Sequence, residues 1–397
     1  MTEAELRNRL LQDPVPGEQE AGERAWEVVR SSYASRERVP WIERHSRLVL
    51  VLAAVAALGV AAVTPPGQTV VERVRHEVGG VTPSEPALVR LPAPGRLLVV
   101  SSSGPWVVNE DGSKRLLGDY EDASWSPRGL FVVATGQHQL VTLDPGSGDV
   151  RWSLSRADQI SDARWSGGGL DTRIAYRSGN SLHVVAGDGS PDIVLASDVA
   201  PVAPAWKDNS HVLAYAGADG RAHVVDVDAR RELWQTPRIP GMRRLAFSPD
   251  GHLVVLTARE IRLYRAGRRI LFEKVGRQHL LLDVAVTPGG GVVFADYDRK
   301  ANATDLVRSS CSTSGACLLI PNTQLFRGAG RIGDLTISPN GRWLLAGWPD
   351  ADQLLFFRLP RVGKVIAVND VRREFEPGSS TPREFPRMAG WVEGATS

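Results

Sequence analysis

Phe247-Ser248-Pro249-Asp250-Gly251, followed by the apolar run Leu253-Val254-Val255-Leu256, is the stretch from which the fold is read. Proline presets φ at the first corner of a tight turn and glycine takes the positive φ that follows, so a bulky residue, a sharp turn and a strand come in that order. The same order returns at Trp125-Ser126-Pro127-Arg128-Gly129 and Ile337-Ser338-Pro339-Asn340-Gly341, and more loosely at Val286-Thr287-Pro288-Gly289-Gly290. Trp165-Ser166-Gly167-Gly168-Gly169 and Trp206-Lys207-Asp208-Asn209 keep the bulky residue without the proline, and Pro92-Ala93-Pro94-Gly95 is a degenerate earlier copy. The anchors Trp125, Trp165, Trp206, Phe247, Val286 and Ile337 follow one another after 40, 41, 41, 39 and 51 residues.

Outward from each turn, an alternating strand follows the apolar one, as in Gln139-Leu140-Val141-Thr142-Leu143 and Ala222-His223-Val224-Val225-Asp226. Many units add a polar turn and a last strand, as in Gly148-Asp149-Val150-Arg151-Trp152. Each period thus holds four short strands. A sheet of that size exposes both faces and is unstable alone. Stacking such sheets radially covers the faces, and a period near 40 residues is that of one propeller blade. The expected fold is therefore all-β, a seven-bladed β-propeller over residues 88–368, with each anchor filling the space between neighbouring blades. Arg387-Met388-Ala389-Gly390-Trp391 echoes Asp122-Ala123-Ser124-Trp125. This makes residues 369–397 a C-terminal tail with a candidate closing strand.

Upstream, Leu48 to Val63 is an unbroken apolar run that stops at Thr64-Pro65-Pro66-Gly67. It has no polar face, and its length approaches that of a spanning helix. The expectation is one transmembrane helix over residues 47–64, acting as a signal anchor. Arg30, Arg36, Arg38, Arg44 and Arg47 precede it, whereas only Arg73 and Arg75 stand in a similar window beyond it. Positive flanks stay inside, so residues 1–46 are expected in the cytoplasm and the repeats outside it. Within that tail Trp26, Val29 and Tyr33 share one helical face, a candidate surface for a cytoplasmic protein partner. Residues 65–87 read as a juxtamembrane helix and linker.

The 397-residue chain has a net charge of +2, which gives no electrostatic reason to expect nucleic acid as a partner. Its two cysteines, Cys311 and Cys317, fall in the long period before Ile337. Outside the cytoplasm their natural state is a disulfide. Two thiols do not make a structural zinc site. No H-E-x-x-H, G-x-S-x-G, P-loop or C-x-x-C is present, so no catalytic, metal or cofactor residue is assigned. His183, His211 and His223 fall in strand-like segments of the third and fourth units and read as structural. Asp296, Asp298 and Asp305 read as a solvated turn. The basic run Arg243-Arg244 to Arg268-Arg269 is interleaved with Glu260 and reads as a charged face.

The S-P-D-G turn after an anchor resembles the TolB-like, WD-type propeller repeats of bacterial envelope proteins, although the Trp-Asp pair of true WD repeats is missing. The units ending in Trp152 and Trp234 also resemble the tryptophan-docked repeats of quinoprotein and outer-membrane-assembly propellers. The overall plan of short tail, single span and outer domain is similar to that of transmembrane anti-sigma factors, but the tail lacks the cysteines of their zinc-binding class. These resemblances imply a membrane-anchored binding module, an envelope sensor or regulator that engages a protein or envelope ligand. The alternatives are an envelope-assembly scaffold, or a propeller enzyme of lactonase or quinoprotein type.

Overall fold

The computed structural model describes residues 90–166, 171–309, 323–359, 365–376 and 384–394. The expected tail, span and linker, with Trp26, Val29 and Tyr33, lie outside these residues, as do Cys311 and Cys317. Among the described residues no helix is long and apolar enough to cross a membrane.

Seven four-stranded antiparallel sheets form a β-propeller. In blades two to seven the chain runs from the innermost strand outward. The inner strands are Asp122–Trp125, Ile160–Trp165, Ala205–Trp206, Met242–Phe247, His279–Val286 and Gly333–Ile337. Blade one differs: its inner strand, Arg387–Val392, comes from the far end of the chain and pairs antiparallel with Arg96–Ser101. Pro92–Gly95 thus occupies the turn position of a blade whose first strand is supplied last. A Cβ on Gly95 would clash with the Val392 carbonyl, so this join requires glycine.

Burial explains the strand sequences. Second strands are covered on both faces, so Val132–Thr135 and Leu253–Thr257 are buried throughout. Outer strands such as Val150–Ser155 and Arg231–Gln235 are largely exposed and carry the charges. The serine of the repeated turn is more than a small polar residue. Ser126, Ser248 and Ser338 are buried, and each accepts from the glycine N–H three residues on, at 2.8 Å. Their hydroxyls accept a second main-chain N–H at 2.9 Å, from Phe131, His252 and Trp343 respectively. The turn is thereby closed from within, with the glycines at φ of 66°, 81° and 67°.

Each anchor packs in the apolar layer between its own blade and the one before it. Trp125 meets Leu98 and Val100 of blade one. Trp165 meets Val133 and Leu140, and Trp206 meets Ala175 and Leu182. Phe247, Val286 and Ile337 do the same but are only partly buried. Trp391 lies between blades seven and one, edge-on to Phe356 at 5.9 Å. A short helix, Val371–Phe375, buries its two end residues in the same layer.

Candidate functional site

The inner strands present a charged ring toward the axis. Three residues before each anchor stand Asp122, Asp162, Ala203, Arg244, Asp283 and Asp334. Asp122 accepts from Arg164 of blade three at 2.9 Å and from Arg387 of blade one, and from its neighbour's N–H on Ala123 at 2.8 Å. Burial works against its charge, but the two arginines outweigh that and hold the carboxyl below its ordinary range. Across the ring Asp283 accepts from Arg244 of blade five, from Val284 N–H at 2.8 Å and from Leu335 N–H of blade seven at 2.7 Å. One carboxylate therefore ties three blades in each case. Asp162 and Asp334 sit at strand irregularities with φ of 55° and 50°, a backbone that aspartate tolerates better than most side chains.

Asp334 is the strained member. Burial first, and the neighbouring Asp283 second, push its carboxyl up to about 6, against the opposing pull of Arg387 and Arg244. A carboxyl raised in the folded state contributes stability that is present below its unfolded value near 3.8 and is lost as pH rises through about 6. Asp334→Asn is therefore expected to raise stability at pH 8 by an amount on the order of 2–3 kcal/mol, and to change it little at pH 4. Urea unfolding of both proteins at the two pH values checks this.

Blades three and four are joined by His211. Its Nδ1 lies 2.6 Å from Asp228 and its Nε2 lies 2.7 Å from the Asp171 carbonyl oxygen. A carboxylate and a carbonyl both only accept, so satisfying both requires the imidazolium. Burial and Arg173 oppose the charge, but the two hydrogen bonds and Asp228 raise the His211 pKa above its ordinary value. The tie is complete below about pH 6.5 and is lost as pH rises through the raised folded value. His211→Ala should therefore destabilise more at pH 6 than at pH 9 in denaturant titrations.

Between blades two and three lies a cleft of about 730 Å³, within the range of small-molecule sites. Phe131 and Trp152 from blade two and Trp165 from blade three give it aromatic walls. Phe131 and Trp165 are stacked, with ring centroids 6.1 Å apart. Trp152 bonds across to blade three, its indole N–H donating to the Gly187 carbonyl at 2.9 Å. A Cβ on Gly189 would press on its ring at 3.0 Å, so glycine there lets the indole lie flat. Thr142 forms part of the lining and is buried. Arg128, Arg151, Asp171 and Asp188 are exposed at the mouth.

The predicted anchors all stand on inner strands, but in the layers between blades rather than in one site. Only Trp165 also lines the cleft. His183, His211 and His223 are each close to carboxylates of their own blade, and His183 and His223 stack on Tyr176 and Tyr215. Asp296 and Asp305 are not in a turn. They face each other on paired strands of blade six, Asp296 beside His279 at 2.9 Å and Asp305 beside Arg327 at 2.7 Å. In the basic run Arg262 is held by Glu260, and both Arg262 and Arg269 lie over Phe272. The charged ring was missed, although aligning the residues three before each anchor displays it.

No protein-family model and no curated protein matches the chain. The propeller is similar in shape to several solved structures. Hsv2p of Kluyveromyces lactis superposes with a TM-score of 0.52 at 12% identity, over 69% of this chain and 94% of that one. A chain in the structure of the Mitotic Checkpoint Complex gives 0.51 at 17% identity, over 70% and 89%. A putative 6-phosphogluconolactonase from Bacteroides uniformis gives 0.51 at 14% identity, over 74% and 98%. At these identities the likeness is one of fold alone.

Proposed function

We propose that the chain is a single-pass membrane protein whose TolB-like propeller stands outside the cytoplasm as an envelope sensor or regulator. In this reading it binds its ligand or protein partner in the cleft between blades two and three. The observation that carries the binding reading is that cleft: aromatic side chains drawn from two blades and exposed charged residues of both signs in its lining. In the axial ring Asp122 and Asp283 are engaged by arginines and main-chain amides, so neither of these two is free to act as a catalytic carboxylate. The anchoring rests on the apolar run Leu48–Val63 and the arginines before it. On the same topology Cys311 and Cys317 form a disulfide, and the Trp26, Val29 and Tyr33 face meets a cytoplasmic partner.

Topology is tested on the full chain with an N-terminal tag. It should pellet with membranes and resist alkaline extraction. Protease added outside wall-stripped cells should remove the propeller and leave a tagged fragment of tail and span. A protein recovered in the soluble fraction, or a propeller cut only after lysis, overturns the proposal.

A further inference from the structure

We infer that the outer edge of blade five docks an extended acidic segment of a partner protein. The inference goes beyond the cleft reading above and uses none of the residues that line the cleft.

Each blade ends in an outer strand whose far side pairs with no other strand among the described residues. Most of these edges are short. Only Arg268–Lys274 in blade five and Thr323–Ala329 in blade six reach seven residues. A visiting strand needs length, because its main-chain hydrogen bonds accumulate along the edge. Charge separates the two long edges. Arg327, the one basic residue of the blade-six strand, is held by Asp305 at 2.7 Å. In blade five Arg265 and Arg268 pair across the last hairpin, and Arg269 follows. All three are exposed. The ion pairs of this hairpin join Glu260 to Arg262 and Lys274, and leave these three arginines without a carboxylate among the described residues. Residues 259–277 carry seven basic side chains against two glutamates, a net +5 in a chain whose total is +2.

Charge on an open edge commonly keeps it from pairing. Here that protection is selective. Two copies meeting at this edge would set arginine against arginine, which is destabilising, whereas a strand bearing carboxylates gains at the same positions. Phe272, 38% exposed, stands within the strand, with Arg262 and Arg269 over its ring at 5.6 and 5.0 Å. Stacking holds the Arg269 guanidinium by its face and leaves its in-plane N–H donors for a carboxylate. A phosphate-bearing surface would meet the arginines as well, but it has no use for the main-chain edge. The ladder is irregular around Ile270, so the regular stretch is Leu271–Lys274, and the hairpin arginines lie beyond its end.

Purified full-length chain in a nonionic detergent is titrated by calorimetry with an alternating Glu-Val octapeptide. Binding that weakens as salt rises is expected, and the Lys-Val counterpart should not bind. Arg268→Glu combined with Arg269→Glu should weaken the Glu-Val peptide at least tenfold while the melting temperature holds, since neither side chain has an ion pair to lose. Alternate N–H groups of a strand point to opposite edges. Methylating the nitrogens of one residue type in the peptide should therefore abolish binding, and methylating those of the other should spare it. Binding indifferent to the double variant places the peptide elsewhere, and an equal effect of the two methylations shows that it is not added as a strand. Either result overturns the inference. So does absence of peptide binding, including the case in which a soluble short-chain phosphatidylglycerol binds at these arginines instead. The cleft reading stands or falls separately, because neither substituted residue lines the cleft.

Discussion

Removal of residues 384–397 lowers the melting temperature of the propeller by 10 °C or more. The segment supplies the inner strand of blade one, so its loss uncovers the edge of strand Arg96–Ser101 and two apolar layers at once. Met388 and Trp391 are both buried, one against blades seven and one, the other edge-on to Phe356. Loss of a buried tryptophan alone costs about 3–5 kcal/mol, and of a methionine about 2–5 kcal/mol. For a domain of this size each kcal/mol is worth roughly 2–4 °C. Arg387 leaves as well, taking with it one partner of Asp122. Calorimetry of the full and shortened chains decides the matter, and a melting temperature within 2 °C of the full chain would refute ring closure by this strand.

Asp122→Ala is the second large effect, a loss of about 3 kcal/mol at pH 7. The substitution strands Arg164 and Arg387, which converge on one carboxylate from the blades on either side. Breaking one side of a buried pair costs about 3–5 kcal/mol because the remaining charge is left uncompensated. The lower end applies here, since Arg387 is 42% exposed and recovers water. The pH dependence has a fixed sign. The Asp122 carboxyl is depressed in the folded state, so its contribution is present above the unfolded value near 3.9 and fades as pH falls through the folded one. The gap between wild type and variant should be full at pH 7 and closing below pH 4. A gap independent of pH would assign the loss to packing.

The blades were legible because their signal is local and periodic. An anchor, a serine that closes its own turn and a glycine at positive φ lie within five residues, and the cycle repeats near every 40. The charged ring was harder to read. Its members also recur, but Ala203 breaks the series, and strand irregularities at Asp162 and Asp334 alter which way successive residues point. The aspartates of blade six were misread for the opposite reason. Asp296 and Asp305 are nine positions apart, and only the register of two strands shows that they face each other. The cleft had no signal of its own. Trp152 belongs to an outer strand and Trp165 to the next inner one, and they share a wall only because one blade leans on another.

Hydrogen–deuterium exchange on the full-length chain, with and without a saturating peptide selected against it by display, tests the binding reading of the cleft most directly. Slowed exchange confined to residues 126–131, 151–152, 171–172 and 186–188 is the predicted result, since these backbone segments border the cleft from both blades. Unchanged exchange there, alongside protection in another pair of blades or at the axial ring, would contradict it.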